Sequence, residues 1–151
     1  MLAGFDHVAV LTCDLHGFVR FYEDVFGAEV EGGLSEDGLE MVVLRIGPTS
    51  EINVFQIDGN VEALDQTPIF GRGRLDHFAF RAVSLTQFDE IRDELMRRGC
   101  SDGFVTDFGH VLSVFFRDPE GLELEICVAN PDAVPGRINP PGTPAARYHG
   151  D

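Results

Sequence analysis

A chain of 151 residues that is 44% hydrophobic can build one full core and is too short for two ordinary domains. Its 26 acidic and 11 basic side chains leave a formal charge of −15, which repels nucleic-acid phosphates and anionic membranes. The start, Met1 to Asp6, has no basic leader, and no run approaches the ~20 apolar residues of a membrane helix. The expected location is therefore the cytoplasm. Three widely spaced cysteines, Cys13, Cys100 and Cys127, fit neither a disulfide framework nor a CxxC metal clip, and reduced thiols are expected.

Taken in chain order, Asp6-His7-Val8-Ala9-Val10 reads as a strand. Leu15, Phe18, Phe21 and Val25 follow at helical spacing, with Asp14 as N-cap and Gly27 as terminator. Residues 28–31, 41–46 and 52–57 then read as three strands between Gly- and Pro-bearing turns. The same order returns 77 − 7 = 70 residues later. Asp76-His77-Phe78-Ala79-Phe80 is a strand, and Leu85, Phe88, Ile91 and Leu95 form a helix stripe between Ser84 and Gly99. Strands follow at 104–107, 111–116 and 122–128, with Asp118-Pro119-Glu120-Gly121 as a type I turn. The expectation is an α+β fold of two tandem βαβββ modules, about 4–60 and 74–129, within one domain spanning 1–130. The Pro-rich stretch 131–151 has little to bury and reads as a tail.

Alternation along a strand puts His7 with Ala9 and His77 with Ala79, on a face of small neighbours. In the last strand, Leu122, Leu124 and Ile126 form one face, leaving Glu123 and Glu125 on the other. A carboxylate buried there must be paired, protonated, solvated or bound to metal. The span from His7 to Gln56, 56 − 7 = 49, nearly matches that from His77 to Glu125, 125 − 77 = 48. His7, Gln56, His77 and Glu125 thus form a candidate ligand set for one divalent transition metal: Fe, Zn, Mn, Ni or Co. Asn53 replaces Gln56 if the strand register slips.

These residues, with Phe21-Tyr22-Glu23-Asp24-Val25-Phe26-Gly27 and Asp118-Pro119-Glu120-Gly121-Leu122-Glu123-Leu124-Glu125, resemble the vicinal oxygen chelate superfamily. That superfamily includes glyoxalase I, methylmalonyl-CoA epimerase, extradiol dioxygenases and the fosfomycin and bleomycin resistance proteins. The resemblance covers about residues 4–129. It implies paired modules curled into a half-barrel around one metal ion, often as a homodimer, with a small-molecule substrate that chelates the metal through neighbouring oxygens. Glyoxalase I usually has Glu where Gln56 stands, whereas epimerases of the family use glutamine. The three-ligand face of the dioxygenases would need only His7, His77 and Glu125.

Two enzyme readings follow. In a lyase, isomerase or epimerase, Glu125 doubles as the proton-moving base; in a dioxygenase, His110 handles protons. Arg45, by parity, can clamp a substrate carboxylate, and Ser113 can hydrogen-bond a substrate. Arg72 and Arg74, between the repeats, read as solvated linker charges. The alternative class is a non-catalytic binding or antibiotic-resistance protein of the same fold.

Overall fold

Two helices begin where a short polar side chain can satisfy their free N–H groups. The computed structural model of the chain describes residues 4–65, 67–69 and 71–136. In it, α1 (Leu15–Phe26) starts at Asp14, whose carboxylate accepts from the Gly17 N–H at 2.9 Å. A Cβ at position 17 would collide with that carboxylate, so glycine here lets the cap close. The second helix, α2 (Leu85–Arg97), starts at Ser84, whose Oγ accepts from the Gln87 N–H at 3.1 Å. Each cap contributes about 1 kcal/mol. Gly27, at φ 64°, ends α1 in the left-handed conformation that glycine adopts without strain.

The chain divides into two compact units, residues 1–66 and 67–151. The first holds β1 (His7–Leu11), β2 (Glu29–Glu36), β3 (Leu39–Ile46) and β4 (Ser50–Ile57), in the sheet order β1-β4-β3-β2. The second holds β5 (Ala79–Arg81), β6 (Val105–Asp107), β7 (Val111–Arg117) and β8 (Glu123–Ala129), in the order β5-β8-β7-β6. In each, the strand before the helix pairs parallel with the last strand, and the rest is antiparallel. The expected α+β pair of βαβββ modules is therefore present.

The strand bounds shift by a residue or two in several places, and at β2 and β5 the shift has a physical reason. β2 runs through Gly32 and Gly33, which looked like turn residues; a Cβ on Gly33 would strike the Met41 carbonyl, so this glycine permits close strand approach. β5 pairs only from Ala79, leaving His77 outside its ladder. Between β7 and β8, the Gly121 N–H donates to the Asp118 carbonyl at 2.9 Å, closing the expected turn. Asp118 Oδ1 also accepts from the N–H groups of Glu120 and Leu122.

In the first unit, Leu44, Ile52 and Val54 are buried and α1 packs on β3 and β4. In the second, Val114, Phe116, Leu124 and Ile126 are fully buried and α2 packs on β8. The histidines sit on the other face of each sheet. Of the expected tail, residues 131–136 are exposed and 137–151 lie outside the described residues. No described helix is long and apolar enough to cross a membrane.

Candidate metal centre

Strand pairing decides which residues of the two units correspond. Ala9 stands beside Asn53 on β4, and Ala79 stands beside Glu125 on β8. The first interval is 53 − 9 = 44 residues and the second 125 − 79 = 46, so the modules differ by two residues. That moves the position equivalent to Glu125 from Gln56 to Asn53. Gln56 shares a face with the buried Ile52 and Val54, and its Oε1 accepts from the Leu15 N–H at 2.8 Å, in the first turn of α1. It caps a helix on the side of the sheet away from His7. Asn53 lies on the His7 face, and its Oδ1 is buried without any hydrogen-bond partner. A buried amide oxygen left in that state costs about 1–3 kcal/mol.

In the second unit the side chains converge. His77 Nδ1 lies 2.6 Å from Asp76 Oδ2, and His77 Nε2 lies 3.4 Å from Glu125 Oε2. The ring meets Phe115 edge-on, with centroids 5.8 Å apart. Ser113 Oγ donates to Glu125 Oε1, so the hydroxyl expected to meet substrate instead fixes the carboxylate. An ionised Asp76 can only accept, which places the imidazole hydrogen on Nδ1 and leaves the Nε2 lone pair facing Glu125. At 3.4 Å, Nε2 and Oε2 are two electron-pair donors in apposition. Such a pair is stable with a hydrogen or a metal ion between them: a proton on the ring, a proton on the carboxyl, or a bound cation. The hydrogen bond from Nδ1 to a carboxylate is also the usual support of a metal-binding histidine.

Glu123, the other carboxylate on this face, has a different fate. Its Oε1 accepts from Arg117 Nε at 2.9 Å, and its Oε2 accepts from Arg72 Nη2 at 3.0 Å and the Ile69 N–H at 2.5 Å. The Arg72 side chain is only 11% exposed. Its guanidinium also donates to the carbonyls of Thr67, Asp76 and Glu123. The solvated linker charge expected at Arg72 is thus a largely buried clamp. Nothing local in the sequence announces it, because Arg72 and Glu123 are 123 − 72 = 51 residues apart.

In the first unit, His7 Nδ1 lies 2.8 Å from Asp6 Oδ1, repeating the acid-histidine pair of the second. Arg45 is on the His7 face, as parity requires, since His7, Glu51, Arg45 and Glu29 form one cross-strand row. Its guanidinium is already engaged by Glu29 and Glu31. A bulge between Val30 and Gly32 leaves Glu31 unpaired in the ladder, which lets both carboxylates reach it. Both hold the guanidinium pKa above its ordinary value, Glu31 most strongly. Arg45 therefore has no free fork for a substrate carboxylate.

His110 is exposed and precedes β7. It is five residues, roughly 17 Å of extended chain, from Phe115, the cross-strand neighbour of Glu125. The structure does not bring it to the Glu125 carboxylate. Cys127 does lie there: burial, and then the Glu125 charge, push its thiol up to about 12. Among the described residues, no three His, Cys, Asp or Glu side chains gather closely enough to hold a metal. The second unit contributes two donors, His77 Nε2 and Glu125 Oε2, that fit such an ion.

Fold and site together define a duplicated βαβββ protein with a supported histidine facing a carboxylate. The chain belongs to the Glyoxalase/Bleomycin resistance protein/Dioxygenase superfamily, which matches it over residues 4–126. Similar solved structures include a glyoxylase/bleomycin resistance protein/dioxygenase domain from Frankia sp. EAN1pec, with TM-score 0.72 and 22% identity, covering 86% of this chain and 100% of that one. The fosfomycin resistance protein FosX from Listeria monocytogenes, complexed with Mn(II) and sulfate, has TM-score 0.62 and 17% identity over 87% of this chain and 96% of its own. Oxidase ChaP-H2 has TM-score 0.63 and 22% identity over 88% and 98%. At these identities the likeness is one of fold. No curated protein matches the chain.

Proposed function

We propose that the chain is a divalent-metal enzyme that moves a proton on a small substrate able to chelate the metal through neighbouring oxygens, as a lyase, isomerase or epimerase. The observation that carries this reading is the apposition of His77 Nε2 and Glu125 Oε2 at 3.4 Å, each held from behind, by Asp76 and by Ser113. The first unit repeats the acid-histidine pair in Asp6 and His7. The Mn(II) in the related FosX structure supports a divalent ion. Bound there, such an ion supplies Lewis-acid stabilisation of developing negative charge.

The chain's own residues do the rest. Asp76 orients His77 and fixes its tautomer. Ser113 pins Glu125 Oε1, leaving Oε2 as the oxygen that binds or takes a proton. Phe115 packs against the imidazole in a T-shaped contact. The remoteness of His110 from Glu125 favours this reading over a dioxygenase, whose acid-base histidine would have to stand close by. The homodimer and cytoplasmic placement expected from the sequence belong to the same proposal.

Metal titration of the purified chain, followed by calorimetry, tests it. Uptake of one divalent ion is expected, with affinity lowered more than about 100-fold by His77→Ala, beyond the 10–100-fold range of supporting residues. No oxygen consumption is expected with catechols in the presence of Fe(II). A chain that neither carries nor takes up stoichiometric metal overturns the reading.

A further inference from the structure

The two units hold their histidines to the last strand of each sheet in different ways. In the first, β1 pairs with β4 from His7 onward, and the Glu51 N–H donates to the Asp6 carbonyl at 3.2 Å, an ordinary ladder bond. By register, Glu123 is the counterpart of Glu51, since each lies two residues before the partner of the small alanine. In the second unit the ladder starts only at Ala79, two residues after His77. A guanidinium stands in that place. Arg72 Nη1 donates to the Asp76 carbonyl at 3.3 Å and to the Glu123 carbonyl at 3.0 Å, bridging the two strands that the first unit joins directly.

We propose that Arg72, with Glu123, is a positioning residue that sets how closely His77 approaches Glu125. Glu123 and Glu125 lie on the same face of β8 and Asp76 adjoins His77, so one clamp fixes both partners of the 3.4 Å apposition. The clamp is itself rigid. Glu123 accepts from Arg117 and the Ile69 N–H as well as from Arg72, and Arg72 also donates to the Thr67 carbonyl at 2.5 Å. The fork geometry matters, because a guanidinium with five N–H donors can hold three carbonyls and a carboxylate at once, and an ammonium with three donors cannot. For its consequence in metal binding, though not for the geometry, the inference rests on the function proposed above.

Arg72→Ala leaves a buried carboxylate short of a partner and risks the fold, so the test uses Arg72→Lys and Glu123→Gln in the full chain. Long-range proton–nitrogen spectra of the imidazoles, taken on metal-free protein at one pH, read His77 and His7 separately; Zn(II) titration reads affinity. Both substitutions are expected to move the His77 ring signals and leave those of His7 in place. Zn(II) affinity should fall about 10- to 100-fold, as when support behind a ligand is removed. Glu51→Gln should change neither. His77 signals that stay fixed in both variants overturn the inference, whatever happens to thermal stability. A wild-type chain that takes no Zn(II), with His77 signals that still move in Arg72→Lys, upholds the positioning role and overturns the metal-enzyme reading instead.

Discussion

His7 and His77 hold equivalent places in the repeat, each beside its own aspartate, yet their surroundings differ. The His7 side chain is 45% exposed, and the first-unit partner of its neighbouring alanine is an amide, Asn53. The His77 side chain is 24% exposed, and the corresponding partner is the carboxylate Glu125, pinned by Ser113. Repeating a backbone order thus reproduces the placement of histidines without reproducing their chemistry. Charge, partner and burial are set by the side chains that strand register brings alongside.

The sharpest way to break the comparison is at the paired positions Glu51 and Glu123. Glu123→Ala leaves Arg72 and Arg117 facing an emptied, buried site and should cost about 3–5 kcal/mol. Glu51→Ala, at the matched place in the first unit, should cost roughly 0.5 kcal/mol or less. Urea unfolding curves of the two variants measure both. Equal losses would mean that the two sheets are held alike.

Asn53 offers a smaller effect of opposite sign. Replacing it with leucine removes a buried oxygen that has no partner, and should stabilise the metal-free chain by about 1 kcal/mol. The same change should weaken metal binding if that oxygen serves as a donor, so stability and affinity would move in opposite directions. Gln56→Ala is the control. It takes away the acceptor of the Leu15 N–H and should cost about 1 kcal/mol without altering metal uptake. A loss of metal on Gln56→Ala, with none on Asn53→Leu, would reverse the assignment made from strand register.

These outcomes follow the boundary between what the sequence discloses and what it does not. Helices α1 and α2 were legible because caps and apolar stripes are local patterns that relate residues three or four apart. The faces of β8 were legible because Glu123 and Glu125 alternate with apolar residues. Gln56 was misplaced because counting along the chain cannot see that one module is two residues shorter between its paired strands. Arg45 was put on the correct face, but its engagement by Glu29 and Glu31 depends on a bulge that no sequence pattern announced. Arg72 was missed for a similar reason, since only folding brings it to Glu123. The Asp-His pairs were visible twice in the sequence, and their hydrogen bonds explain the repetition better than strand propensity does.

The smallest effect separates the units by thiol chemistry. Cys13, in the first unit, is exposed, whereas Cys127 lies in the second beside Glu125 and Ser113. With its thiol pushed up to about 12, only about one Cys127 in 10⁴ is a thiolate at pH 8, and the thiolate is the nucleophile. Iodoacetamide at that pH should therefore label Cys13 long before Cys127, as followed by mass spectrometry. The sign of the pH effect on stability follows from the same shift. The folded state keeps the Cys127 proton that the unfolded chain loses near pH 9, so unfolding gains in alkali: stability is unaffected below about pH 9 and declines as pH rises toward 12. Glu125→Gln removes the neighbouring negative charge, the second cause of the shift, and should speed Cys127 labelling while leaving Cys13 unchanged. An unaltered Cys127 rate would show that burial alone protects the thiol, and that the Glu125 charge is neutralised where it faces His77.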